Sequence, residues 1–461
     1  MSAAHISPDY AAFLASKAPR PSAVGVEPGP MHEALFDYQR TVTEFCIRQG
    51  RAALFLDTGL GKSLCILEWS EQMARASNGY ALILTPLAVA KQFEREAMKF
   101  GYEARVVRSD ADVKPGINVC NYDRLDLLNA ARFGAVALDE SSCLKSFTGK
   151  TTRALIETFR DTPYRLCATA TPAPNDHMEL GNHAEFLGIM ASNEMLARWF
   201  ISDQTQMGRY RLKGHAITDF WDWIASWARC AENPADLGFD GSRFVLPPMQ
   251  VHRHKTFGDI RPAAGSLFVE DMSATNIHHV KRQTAEARAE AAAALVAAEP
   301  GEPWIIWTDT DYEADAVKRR IADAIELRGR MTANAKEEAI EKFLAGRETL
   351  ITKPTIAGMG LNFQHCARMI YVGRSFSYEQ FYQSVRRCWR FGQTRPVDVH
   401  IIVAEGEDQI GRVIDRKASD HAAMKRAMAE AMKRAAQKSE VKIPYDPTHI
   451  GRLPAWLKSV A

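Results

Sequence analysis

Residues 54–64, LFLDTGLGKSL, join an apolar run to a glycine-punctuated turn that ends in a lysine and a serine. A strict phosphate loop, G-x-x-x-x-G-K-[ST], requires glycine where this chain carries Leu56. Two readings therefore stand at the outset: a nucleotide site with an unusual entrance, or an ordinary glycine turn. A phosphate loop needs a strand before it, a tight turn whose N–H groups face the phosphates, and a following helix whose N-terminus adds partial positive charge. The local pattern supplies all three, with AALFL as the strand and a helix from Lys62 to about Ala76. Gly59 and Gly61 permit close backbone approach, Lys62 can reach the β- and γ-phosphates, and Ser63 can ligate Mg²⁺.

Working outward, FDYQRTVTEFCIRQ precedes the loop with a helical pattern, and short apolar runs follow at YALILT, INVC, GAVALDE and RLCATA with helical stretches between most of them. Buried strands alternating with helices predict a parallel sheet covered on both faces. A second series begins after Pro303 with WIIWTD, TLITK, RMIYVG and DVHIIVA, predicting a second α/β domain of similar size. The expected organisation is a tail at 1–30, a first α/β domain at 31–190, a helical or irregular intervening segment at 191–300, a second α/β domain at 301–415 and a C-terminal helical extension at 416–461.

Within the intervening segment, DFWDWIASWARC places Trp223 and Trp227 four apart on one helical face, a spacing that suits packed core better than a base-stacking platform. Near the C-terminus, Met424, Met428 and Met432 form an i,i+4 stripe with Lys425, Arg426, Lys433 and Arg434 beside it. The stripe suits docking against a neighbour, and the basic flank can touch phosphate.

Composition limits the classes. The chain has 461 residues, 46% hydrophobic and 25% charged, too many for one compact core and typical of globular domains. No apolar run approaches the ~20 residues of a membrane span, and the N-terminus lacks a basic region followed by an apolar block, so a cytoplasmic protein without membrane contact is expected. Eight cysteines lie scattered without a C-x-x-C pair, which disfavours a zinc site or disulfide framework. His252 and His254 share a face if their stretch is a strand, but two ligands are too few for a metal. A formal net charge of +2 means that any nucleic-acid contact must be local.

The remaining chemistry sits at predicted strand ends. GAVALDESS delivers Asp139 and Glu140 to the C-terminal end of a strand, where ligands bind in open parallel sheets. There Asp139 can hold Mg²⁺ and Glu140 can act as general base for an attacking water. CATATPAPND exposes Thr169 and Thr171 at the same edge, where hydroxyls can sense γ-phosphate or connect the site to another surface. The second domain has no phosphate loop of its own but offers QSVRRCWRFGQ, with Arg387 and Arg390 three apart on one helix face, suited to approach a γ-phosphate from across a cleft.

Together these residues resemble superfamily-two helicases and, within them, the Swi/Snf-like DNA translocases, especially the compact versions of bacteriophages and prophages. LFDYQ is similar to that family's adenine-recognition segment, which implies that Gln39 reads the base. DTGLGKS resembles its phosphate loop, which has no glycine at the Leu56 position; the resemblance implies that Asp57, Thr58, Gly59, Leu60, Gly61, Lys62 and Ser63 bind ATP. LILTPLAVAKQFEREAMKF resembles the segment that touches the DNA backbone, here through Thr85 and Pro86. ATATP, with Thr169 and Thr171, resembles the segment that couples hydrolysis to movement. TIAGMGLNF, with Gly358 and Gly360, is similar to the family's glycine loop, and Gln383 belongs to the arginine segment that carries Arg387 and Arg390. Four departures stand out: Ser142 and Trp389 occupy positions where the family often has histidine, Arg386 replaces an acid, and Ala357 replaces a glycine.

The resemblance implies two RecA-like domains closing over ATP and Mg²⁺, and a DNA-dependent ATPase acting as a helicase or duplex translocase. Contacts to duplex DNA would be made to its backbone, independently of sequence. The alternatives are an ATP-gated DNA-binding or recruitment module with weak hydrolysis, and the motor subunit of a larger DNA-processing assembly whose protein partners the sequence does not name.

Overall fold

The computed structural model describes residues 21–86, 89–146, 149–202, 210–256, 274–346, 348–358, 361–404 and 408–440. Among these, fifteen strands form two parallel sheets and one small hairpin. They are β1 (Arg51–Leu56), β2 (Tyr80–Thr85), β3 (Ala104–Val106), β4 (Gly116–Asn121), β5 (Ala135–Asp139), β6 (Tyr164–Ala168), β7 (Phe200–Ser202), β8 (Tyr210–Leu212), β9 (Ala228–Ala231), β10 (Met249–Thr256), β11 (Trp304–Trp307), β12 (Ile325–Leu327), β13 (Thr349–Thr352), β14 (Arg368–Tyr371) and β15 (Val397–Ala404). The first sheet runs β3-β4-β2-β5-β6-β1-β9, and the second β10-β15-β14-β11-β13-β12.

The strands form because their apolar runs can be buried on both faces. Along β1, Ala53 and Phe55 enter one core while Ala52, Leu54 and Leu56 enter the other. The period of two dictates this division. In the second sheet Ile305 and Trp307 point to one core, and Trp304 and Ile306 to the other. Of the expected fold class, the chain adopts two α/β domains with helix-flanked parallel sheets, an aromatic helix between them in the chain and a C-terminal helix.

The intervening segment contributes a strand to each sheet. The aromatic helix Ile217–Trp227 stops at Trp227, and the next four residues become β9, pairing in parallel with β1. Its small side chains fill both cores, Ala228 and Cys230 on one face and Ala231 on the other. β10 pairs with β15 at the edge of the second sheet, and its partly exposed alternation explains why it reads as irregular. Trp223 and Trp227 are buried with Trp199 and Phe220 in the first domain's core.

The C-terminal helix Asp408–Glu440 spans both domains. Ile410 and Ile414 pack on Tyr378 of the second domain, whereas Met424, Met428 and Met432 enter the core beneath β1 and the aromatic helix. The methionine stripe thus docks on the first domain, and the helix straps the two domains together. Among the described residues, no helix is long and apolar enough to cross a membrane.

Candidate functional site

β1, β5, β6 and β9 all end at one edge of the first sheet, and the motif residues emerge there. From β1 the chain turns through Asp57–Leu60 into the helix Lys62–Ala76. Gly59 (φ 93°) and Gly61 (φ 72°) are left-handed, as this turn requires. A Cβ on Gly61 would lie 2.2 Å from Gln39 Nε2, and one on Gly59 would lie 3.0 Å from the backbone nitrogen of Phe391 in the second domain. The loop is supported from beneath by Tyr38 Oη and Gln39 Nε2, each donating to the Leu60 carbonyl at 2.9 Å. Gln39 Oε1 in turn accepts from Phe36 N–H at 2.9 Å. The amide expected to read a base therefore braces the loop.

Lys62 Nζ donates to the carbonyls of Leu56 (2.9 Å) and Asp57 (3.3 Å). Burial lowers its pKa, while Glu140, Asp57 and Asp139 pull it back up. Asp139, at the end of β5, is pushed up to about 8 by burial and by neighbouring Glu140, against the opposing charge of Lys62. Glu140 itself is left-handed (φ 53°), a strained conformation for a non-glycine residue. Its carboxylate accepts from Thr169 Oγ1 at 3.2 Å, and Thr169 Oγ1 accepts from Thr171 N–H at 3.1 Å. Thr171 Oγ1 is buried without a hydrogen-bond partner. Ser63 is half-buried at the start of the helix. Thr85 is fully buried at the end of β2 and Pro86 half-buried beside it.

The helix expected to carry Arg387 and Arg390 on one face, Tyr378–Val385, ends at Val385, so both arginines stand in the turns that follow it; the chain leaves the helix there because the backbone bonds back tightly, Arg387 N–H to the Ser384 carbonyl and Gln393 N–H to the Arg390 carbonyl. Arg387 is buried, with Nε and Nη2 donating to the carbonyl and Oε1 of Gln383, each at 3.0 Å, and Nη1 to the Leu361 carbonyl at 3.0 Å. Burial and Arg390 lower its pKa to about 10, and Glu140 of the first domain opposes them. Arg390 feels Glu96 of the helix Ala90–Lys99. Arg390 Nε and Gln383 Nε2 are buried without a hydrogen-bond partner. Gly358 closes the short helix Pro354–Ala357, and Gly360 lies outside the described residues.

Three groups that the sequence reading left out of the site meet at Asp57. Arg386 Nη2 bonds Asp57 Oδ2 at 2.8 Å and the Thr58 carbonyl at 2.9 Å. Tyr382 Oη donates to Asp57 Oδ1. Lys425 of the C-terminal helix lies 3.7 Å from Asp57 Oδ1, 3.0 Å from Glu232 Oε1 and 3.1 Å from Tyr382 Oη. Burial alone raises the Asp57 pKa, but Lys425 and Arg386, with hydrogen bonds from Tyr382 and Thr58, hold it at about 2. Asp57 N–H donates to the Ala231 carbonyl at 2.9 Å, so β9 fixes Glu232 beside the loop. The one available signal was positional: Lys425 sits between two methionines of the buried stripe.

A cleft of about 360 Å³ opens between the loop and the second domain, lined by Asp57–Leu60, Phe244–Leu246, Arg386, Trp389 and Phe391. Phe244 stacks on Phe391 with centroids 4.8 Å apart and meets Tyr38 edge-on at 5.4 Å. A phosphate loop, a carboxylate pair and an arginine-bearing turn from a second domain converge on one edge, with the cleft beside them.

Residues 287–392, which carry β11–β14 and both arginines, match the helicase conserved C-terminal domain. No curated protein matches the chain. The SWI2/SNF2 ATPase core of Sulfolobus solfataricus, solved in complex with dsDNA, is similar over 90% of this chain and 97% of that chain, with 17% identity and a TM-score of 0.41.

Proposed function

We propose that this protein is an ATP hydrolase of the helicase or translocase type, using ATP bound between its two domains to act on duplex DNA. The observation that carries the reading is geometric: Lys62 on the glycine turn after β1 and the Asp139–Glu140 pair at the end of β5 stand at one strand-end edge, against which the second domain packs Phe391, 3.0 Å from where a Cβ on Gly59 would lie. Asp139, buried and pushed up to about 8, and Glu140, half-buried beside it, form a donor set that suits a divalent cation. Ser63 and Asp139 would hold Mg²⁺, which when bound neutralises charge on the β- and γ-phosphates.

The chain's own groups divide the rest of the work. Lys62 leaves its carbonyl partners to bind the phosphates. Glu140, steadied by Thr169, takes the proton of the attacking water. Arg387 and Arg390 stabilise the charge that develops on the transferred phosphoryl group, the latter with a guanidinium nitrogen still unbonded. Gln383 and Thr171, each with a buried unpaired polar atom, link this chemistry to movement between the domains. DNA is gripped through its backbone by both domains; on the first, Pro86 at the end of β2 is the partly exposed contact and Thr85, fully buried, positions it, while Gly358 and Gly360 of the second serve coupling.

The reading is tested by ATP turnover with no nucleic acid and with single-stranded, duplex and forked DNA. Stimulation by duplex DNA is expected, with affinity that falls steeply with salt and varies little with sequence. ATP binding without turnover on every DNA would favour a recruitment module instead.

A further inference from the structure

The mechanism above does not use Lys425, a buried cation beside the phosphate loop. Lys425 is 3% exposed, and its ammonium is shared among Asp57, Glu232 and Tyr382. Its tether differs from that of the other groups around Asp57. Tyr382 and Arg386 belong to the second domain and travel with it. Lys425 is flanked by Met424 and Met428, which are buried in the first domain's core, and one end of its helix is pinned there by Arg434, whose Nε donates to Asp222 at 2.9 Å. From Met424 onward the C-terminal helix therefore carries Lys425 as part of the first domain, although the turns before it pack on the second, Ile410 and Ile414 on Tyr378 and His421 against Tyr378 and Tyr382.

This distinction matters for the charge of the loop. A buried carboxylate beside a site for a polyanion opposes ligand binding unless a cation compensates it, and at low effective dielectric the opposition is large. In the closed arrangement Arg386 and Lys425 both serve Asp57. When the second domain withdraws, Arg386 and Tyr382 leave, and Lys425 alone stays within reach.

Building on the nucleotide-site reading, we propose that Lys425 is a positioning residue for the phosphate loop, anchored by the C-terminal helix as the standing counter-ion of Asp57. It keeps the loop shaped and charge-compensated for the incoming triphosphate while the domains are open. The sequence-distant helix is thus part of the nucleotide site, acting through Asp57.

The test uses the full chain and four variants: Lys425→Met, which keeps length and apolar packing, Lys425→Arg, Asp57→Asn and the double variant Asp57→Asn/Lys425→Met. With saturating duplex DNA, Lys425→Met is expected to raise KM for ATP about tenfold while changing kcat less than about threefold, and Lys425→Arg to recover most of the loss. The double variant should match Asp57→Asn alone, because without the carboxylate no counter-ion is needed. A nucleotide-free melting series on the same proteins gives an independent readout, with Lys425→Met lowering Tm and the double variant melting no lower than Asp57→Asn. An unchanged KM in Lys425→Met, no recovery with arginine, or additive effects in the double variant would overturn the proposal. If the wild-type chain hydrolyses no ATP on any DNA, the enzymatic reading fails; the melting series then decides the Asp57–Lys425 pairing alone, and additive Tm losses overturn it.

Discussion

Asp57 and Asp139 stand at the ends of two strands of one sheet, both buried, yet one carboxyl is held at about 2 and the other pushed up to about 8. Burial acts on both in the same direction. The difference lies in their neighbours: Asp57 faces Lys425, Arg386, Tyr382 and its own loop N–H, whereas Asp139 faces two further carboxylates, Glu140 and Glu96, and a single lysine. The protein satisfies Asp57 with its own cations and leaves Asp139 and Glu140 in need of one. Desolvation alone does not mark a working carboxylate; the sign of the residual charge around it does.

Removing the single cation on the Asp139 side is the most direct way to break the comparison. Lys62→Ala should bring ATP turnover to background and greatly weaken ATP binding, since no other group replaces the charge facing the phosphates. Near-normal turnover in that variant would show that the loop is not a nucleotide site.

The arginines of the second domain come next. Arg387→Lys and Arg390→Lys keep the charge and lose the planar fork, and an arginine finger is worth about 10³-fold or more in turnover. Each variant should lose most DNA-stimulated hydrolysis while still binding ATP and DNA. Arg387 is already committed to Gln383 and Leu361, whereas Arg390 keeps an unpaired nitrogen, so the larger loss is expected at Arg390. Full turnover in both variants would reassign the second domain to binding alone.

Glu140→Gln sharpens the contrast between holding and reacting. It keeps Asp139 for the cation and a nearly isosteric side chain for Thr169, so ATP should bind at wild-type affinity and persist, with turnover reduced by about 10²-fold or more. A failure to bind ATP in equilibrium dialysis would contradict the role given to Glu140.

Much of this was legible in the sequence, for a physical reason. The glycine turn, the Asp139–Glu140 pair and the arginine segment are local: each is written within a dozen residues of a strand or helix end, and strand periodicity places them at one edge. What was not legible depends on distant chain. β9 is four small residues directly after a helix, and only the open edge of β1 makes them a strand. Arg386 read as a departure from a familial pattern, and the structure turns it into the partner of Asp57, 329 residues away. Lys425 read as the flank of a methionine stripe, because a helical pattern shows which side is apolar and not which charge lies beneath it. The bond of the Gln39 amide to Leu60 was not legible either, since it joins a helix to a loop 21 residues on.

The smallest expected effect is on stability against pH, and it tests the two aspartates directly. Asp139 has a folded-state pKa above its unfolded value, so its protonated form favours the fold; that contribution is complete below about pH 4 and is lost as pH rises towards 8. Asp57 has a folded-state pKa below its unfolded value, so its contribution is present above about pH 4 and is lost as pH falls through 2. Neutralising each should therefore act in opposite directions. Without Mg²⁺ or nucleotide, Asp139→Asn should melt higher than wild type at pH 8, by a few degrees, with the gap closing towards pH 4. Asp57→Asn should melt lower at pH 8, because Arg386 and Lys425 lose the carboxylate that compensates them. Adding Mg²⁺ with ATP should raise the wild-type melting point and leave Asp139→Asn nearly where it was, since the cation stabilises only a site that can hold it. Two variants that shift in the same direction at pH 8 would mean that burial, and not the neighbouring charges, governs both carboxylates.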